Sequence, residues 1–246
     1  MEPELKEKLA NPRFWGGLLF LLIVLLSLWY AASLVNQWLQ DKQKVPLQNV
    51  IVSGQLTHVD LMDVEEVIRL GQPFSFFYLD VDKAHKDVES LPWVYQASIR
   101  KEWPDTLKVY IIEQQAEASW NGDMLINQFG ETFAPEPPFD SSLPMLFGPG
   151  GGELAALQGF KAMQGLLQNS NLEIAELFLS ERYAWNIKLD NGISLSLGRT
   201  EFIDRLQRFI DVYPLLKKNE KTVAYVDLRY DTGLAVGWLE DALSKQ

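Results

Sequence analysis

The sequence predicts an α+β protein: a single N-terminal transmembrane helix, a small βααββ module, and a C-terminal mixed-sheet domain with helices on one side. Three observations carry this expectation. Residues 14–40 contain no charged side chain, and the run Leu18–Leu28 is apolar everywhere but Ser27. Two short helical apolar periods between 45 and 115 are bracketed by strand-like runs. Beyond 115, alternating strands recur around Gly-containing turns and are interrupted by two longer amphipathic helices.

The apolar run sets the context. A helix over 14–39 is about 39 Å long, more than the roughly 30 Å of a hydrocarbon layer. Its ten apolar residues at 18–28 favour insertion by about 3 to 6 kcal/mol. Trp15 at one end and Trp29, Tyr30 and Trp38 toward the other suit the two interfaces. A cleaved secretory signal is the alternative, with Ala31-Ala32-Ser33 as small residues, but the apolar run is longer than such signals carry and continues past that point. Lys6, Lys8 and Arg13 precede the helix and Lys42 and Lys44 follow it, a small bias toward a cytoplasmic N-terminus. The expected organisation is a cytoplasmic tail (1–13), the membrane helix (14–39), a first module (45–115), a C-terminal β domain (116–240) and a short tail (241–246).

The net charge of −11 lies entirely after residue 40, because Glu2, Glu4 and Glu7 balance the three cations before it. An acidic module repels phosphates, which makes it a poor general nucleic-acid binder, and no nucleic-acid partner is expected. The absence of cysteine excludes a disulfide scaffold and a thiolate zinc site.

In the first module, "LQNVIVSG" has strand composition. Leu61, Val64, Val67 and Ile68 recur at helical spacing, and Gly71 and Pro73 mark the stop. A second helix starts near Asp80, with Val81, Ala84, Val88 and Leu91 on one face. Residues 94–114 give two alternating strands around Trp103-Pro104-Asp105. Trp93 and Trp103 read as core or turn aromatics.

In the C-terminal domain, Asn121-Gly122 is a hairpin signal. The proline-rich stretch 134–152 reads as a loop that opens into a helix over 153–168. Strands follow in "LEIAELFLS" and "YAWNIKLDNGISLSLGR", the latter turning at Asp190-Asn191-Gly192. A helix over 200–217 takes Thr200 as N-cap and gathers Phe202, Leu206, Phe209, Ile210 and Tyr213 on one face. Along 223–230, Ala224, Val226, Leu228 and Tyr230 share one face and Val223, Tyr225, Asp227 and Arg229 the other. Asp231-Thr232-Gly233 suits a three-residue turn with Gly233 left-handed. In the returning strand, Leu234, Val236 and Trp238 share a face, while Ala235 and Gly237 are small enough to admit a close neighbour. That strand has no Lys, Pro or other guard of an edge, and no charge before Glu240. The pattern fits an open edge that accepts an added strand and fits an interior strand equally well.

The first module, with "Leu-Pro-Trp-Val" (91–94) followed by "Ile-Arg-Lys-Glu-Trp-Pro-Asp-Thr-Leu" (99–107), resembles the POTRA domain, a docking module found beside bacterial membranes. The chain as a whole resembles the bacterial cell-division family FtsQ. The strings that carry this are "Val-Ser-Gly" (52–54), "Ser-Leu-Gly-Arg" (196–199), "Arg-Phe-Ile-Asp-Val-Tyr-Pro" (208–214) and "Tyr-Val-Asp-Leu-Arg-Tyr-Asp-Thr-Gly-Leu-Ala-Val-Gly-Trp" (225–238). The resemblance implies a non-catalytic scaffold of the division machinery in the inner membrane, with its C-terminal domains periplasmic at the division site. It implies FtsB and FtsL as partners, with FtsB paired to the last strand, and a POTRA face open to further division proteins. No cofactor is implied. The partner-binding positions it marks are Arg199, Arg229, Tyr230, Gly233, Leu234, Val236 and Trp238. Leu234 departs from the family, which commonly has a smaller residue there.

Enzyme readings find little support in the residues. His58 and His85 are far apart in the sequence. Asp80-x-Asp82 begins like a calcium loop, but its sixth and twelfth positions are His85 and Leu91. Gly148-Pro149-Gly150 lacks the third glycine of a dinucleotide fingerprint, and there is no Gly-x-Ser-x-Gly or P-loop. The readings that remain as alternatives are a membrane-anchored periplasmic hydrolase and another POTRA-bearing envelope assembly factor.

Overall fold

The computed structural model describes residues 12–40, 47–70, 75–140, 142–219 and 221–239. The expected stop at Gly71 and Pro73, Lys42 and Lys44, Glu240 and the tail 241–246 lie outside the described residues, as does most of the N-terminal tail. The chain divides into two compact units, the first ending at Glu113 and the second beginning at Gln114.

The first unit opens with α1 (Pro12–Gln40). Its span Trp15–Trp38 has a mean hydropathy of 2.5 and leaves its apolar surface uncovered. Then come β1 (Asn49–Gly54), α2 (Leu61–Leu70), α3 (Val81–Glu89), β2 (Val94–Glu102) and β3 (Thr106–Glu113). The sheet runs β1-β3-β2, with β1 parallel and β2 antiparallel to β3. The predicted apolar stripes explain the packing: Val64 and Ile68 of α2 and Val88 of α3 close over Val94, Leu107, Val109 and Ile111. Asp80 starts α3, its carboxylate accepting from the amides of Asp82 and Lys83 at 3.0 and 3.1 Å.

At the end of β3, one oxygen of Glu113 accepts from the amides of Thr57, His58 and Val59 at 2.8–2.9 Å. His58 stacks on Trp93 with ring centroids 3.9 Å apart. A carboxylate thus folds the loop after β1 onto the sheet.

The second unit contains β4 (Ala116–Trp120), β5 (Met124–Asn127), β6 (Thr132–Phe133), β7 (Met145–Phe147), α4 (Glu153–Leu167), β8 (Ile174–Leu179), β9 (Trp185–Leu189), β10 (Ser194–Gly198), α5 (Phe202–Leu216), β11 (Val223–Asp227) and β12 (Ala235–Trp238). They form one nine-stranded mixed sheet in the order β12-β11-β10-β9-β8-β7-β4-β5-β6. The helices α4 and α5 each cross between parallel neighbours, β7 to β8 and β10 to β11. Leu157, Met163 and Leu167 of α4 and Leu206 and Phe209 of α5 share one core with Leu177, Ile187, Leu195 and Val226.

Three local expectations are corrected. The stretch read as a loop over 134–152 holds β7, parallel to both β4 and β8 in mid-sheet. Three residues between Pro144 and Gly148 are too few to show alternation. Thr200 is not the N-cap of α5; Glu201 is, with φ 53° and no side-chain capping bond. Finally, a register shift lies between Val223 and Tyr225. It breaks the expected alternation, so that Val223 and Val226 are both buried.

Candidate functional site

The last strand, β12, stands at the end of the sheet and pairs only with β11 among the described residues. Which of its main-chain groups face outward follows from the ladder. The amide of Leu239 donates to Thr222 O at 2.9 Å, toward β11. The amide of Leu228, at the far end of β11, donates to Ser196 O of β10. Main-chain groups alternate sides along a strand, so Tyr225 and Asp227 face β12 and bond with their register partners Gly237 and Ala235. The N–H and C=O groups of Val236 and Trp238 are thereby turned to the open side. An edge of this kind is a template for another extended chain.

The two faces of β12 differ. Leu234, Val236 and Trp238 are half-buried and lean on the main core. On the other face Ala235 is exposed, but the space over Gly237 is filled. A Cβ there would lie 2.0 Å from the Tyr225 ring. The close neighbour expected at this small residue is therefore the chain's own tyrosine, laid across an edge glycine.

The connection between β11 and β12 departs from the expected three-residue turn. It runs over 228–234, and Gly233 is not in a left-handed conformation. Side chains hold it instead. Nη1 of Arg208, from α5, donates to the carbonyls of Tyr230 (2.8 Å) and Gly233 (3.1 Å). Asp227 Oδ1 accepts from the Arg229 amide at 3.0 Å, closing a local turn at the end of β11.

Arg229 is itself engaged. Its Nε and Nη2 donate to Asp227 at 2.6–3.1 Å. This hydrogen-bonded pair holds the Asp227 carboxyl below its ordinary range, against a smaller desolvation effect, and raises the Arg229 guanidinium. The guanidinium marked as a partner-binding position is thus already on a carboxylate of its own chain, although its side chain is 65% exposed.

Behind it, the largely buried Arg205 donates from Nη1 to Leu197 O at 2.7 Å, while its Nε has no acceptor among the described residues. Gly198 is left-handed, with φ 77°, and a Cβ on it would sit 2.7 Å from Arg205 Nη1 and 3.3 Å from Arg229 Cγ. The glycine of the Leu-Gly-Arg string is what lets the two arginines close on β10, and it sets the exposed Arg199 at the same sheet end as Arg229.

Of the seven expected positions, the structure groups Arg199, Arg229 and the exposed Tyr230 at one end of β10 and β11. It groups Leu234, Val236 and Trp238 along the edge strand, with Gly233 in the connection between. Sequence reading missed Arg208, Asp227 and Tyr225. Asp227-x-Arg229 was visible as a short-range charge pair. Nothing in the spacing of Arg208 showed that α5 would bring it to the carbonyls of the connection.

Comparison with known proteins finds family matches in both units. Residues 118–229 match the family model "Cell division protein FtsQ/DivIB, C-terminal", and residues 45–114 match "POTRA domain, FtsQ-type". The chain belongs to the FtsQ family. It is 42% identical to the cell division protein FtsQ of Shewanella oneidensis over 93% of this chain and 88% of that one. It is 38% identical to FtsQ of Vibrio cholerae, over 92% and 87% respectively. With FtsQ of Escherichia coli the identity is 36%, over 96% and 89%. The resemblance read from the four strings holds over both soluble units. In this FtsQ-family chain, α1 fits a membrane anchor preceding a POTRA domain and a mixed-sheet domain.

Proposed function

We propose that the chain is a non-catalytic scaffold of the division machinery, recruiting FtsB and FtsL at the septum and binding FtsB by strand addition to β12. It sits in the inner membrane with its N-terminus cytoplasmic and both soluble units periplasmic. The observation that carries the reading is the outward set of main-chain groups at Val236 and Trp238, beside an exposed Tyr230 and an arginine cluster at the sheet end. Added-strand binding draws affinity from such groups and selectivity from alternate side chains. Arg199 supplies a donor to an acidic partner. Arg229 supplies one only if the partner joins or displaces Asp227.

Proline placed along β12 tests this. Val236→Pro removes an amide that faces outward and leaves the β11–β12 ladder intact, a placement edge strands tolerate. The expected outcome is a folded protein that no longer retains the periplasmic segment of FtsB in a pull-down. Gly237→Pro, which removes a ladder amide, should disturb the hairpin itself. Full retention of FtsB by a folded Val236→Pro variant overturns strand addition at this edge.

A further inference from the structure

The β2–β3 hairpin tip presents a second exposed feature, at the opposite extreme of the molecule's chemistry. Trp103 is 76% exposed, the most uncovered tryptophan among the described residues of the first soluble module. Phe77 and Tyr78 of the same unit are exposed as well. Lys101, two residues before Trp103, ties their segment to β2: its Nζ donates to Phe77 O at 3.1 Å and lies 5.6 Å from the Phe76 ring centroid.

Chain connectivity places this tip. The amides of Gln48 and Asn49, the residues that enter β1, both donate to Asp105 O in the hairpin turn, at 3.1 and 3.3 Å. The chain between Gln40, the end of α1, and Gln48 spans at most about 28 Å even when fully extended. The tip is therefore leashed to the end of α1. The other end of the same sheet, where β3 closes at Glu113, is not. In the same unit the Tyr78 hydroxyl donates to Asn36 Oδ1, near that end of α1.

The local charge permits contact with headgroups. Although the chain carries −11, Arg100, Lys101 and Lys108 at the tip balance Asp80, Glu102 and Asp105. An exposed indole on a near-neutral, polar tip is the composition that settles at the headgroup level of a bilayer. We propose that the Trp103 hairpin tip rests in the interfacial layer of the membrane crossed by α1, giving the first soluble unit a second foothold on the lipid. The proposal goes beyond the docking edge and rests only on α1 being a membrane anchor.

The test uses the full chain in nanodiscs of phosphatidylethanolamine and phosphatidylglycerol, with its tryptophans replaced by fluorotryptophan and read by fluorine NMR. Trp103→Phe, or Trp103→Tyr should that variant misfold, identifies the Trp103 line, and Trp38→Phe identifies the line of Trp38 in α1. The expected result is a Trp103 line broadened severalfold more by a gadolinium chelate carried on lipid than by the same chelate in water. A Trp103 line broadened by the soluble chelate alone, with Trp38 still responding to the lipid-borne one, overturns the proposal and leaves the anchor standing. Failure of both lines to respond to the lipid-borne chelate overturns the anchor and the proposal together.

Discussion

Tyr230 and Trp238 stand close in sequence but differ in what surrounds them. Tyr230 is exposed, and Arg208 holds its carbonyl. Trp238 is half-buried against the main core. Tyr230→Ala is therefore expected to weaken partner binding by about 2 kcal/mol and to change stability by less than about 0.5 kcal/mol. Trp238→Ala should lower both. Calorimetric titration with the FtsB segment, paired with thermal unfolding of each variant, separates the two effects. Gly237 gives a second contrast. A methyl at this position drives into the Tyr225 ring, so Gly237→Ala is expected to cost about 1–2 kcal/mol. Tyr225→Ala in the same chain should recover part of that loss, because the blocking ring is gone. Additive losses in a double-mutant cycle contradict the contact.

At the scale of elements, a single carboxylate orders the loop that leads from β1 to α2. Burial pushes the Glu113 carboxyl up, but the amides of Val59, His58 and Thr57, with His58 nearby, outweigh it and bring it below its usual value. A group depressed in the folded state stabilises above its unfolded pKa, about 4.3 for glutamate, and loses that contribution as pH falls through the lower folded value. Glu113→Gln should thus cost about 1–2 kcal/mol near neutrality. The gap from the parent chain should close in acid below that window, as followed by unfolding curves across pH. A gap that widens in acid contradicts the sign.

The connection before β12 shows where element-level reading of the sequence stops. Its composition suggested a tight turn with a left-handed glycine, because Asp-Thr-Gly carries that local preference. The turn actually formed is longer because Asp227 folds the chain back onto Arg229 and Arg208 gathers two carbonyls from another element. Local propensity had no access to a helix that approaches from elsewhere. The strands on either side were legible from their composition, although the bulge in β11 broke the alternation expected of it. The edge status of β12 was not, because position in a sheet depends on which strands are neighbours.

Across the whole molecule, the two soluble units have separate cores. Val64, Ile68, Leu107 and their neighbours all precede residue 114, and the larger core lies wholly after it. Deleting 231–246 should therefore abolish FtsB binding while the first unit keeps its amide-exchange protection. Loss of protection in that unit contradicts the separation. The same modularity made the architecture readable. Each helix carried its own apolar stripe, and a long uncharged run needs no partner to be recognised. What stayed hidden was whatever depends on contact across elements: β7 in mid-sheet, the bulge in β11, and the arginines behind Gly198.

Because β1 and β3 run side by side in the same direction, the chain enters the first unit beside Asp105 and leaves it at Glu113, about 26 Å farther along. A flexible tether of similar length would scatter its far end over a broad cloud of positions. A folded strut gives Glu113 a fixed offset from Asp105 instead, so the first unit sets where the chain leaves it and not merely how far it can reach.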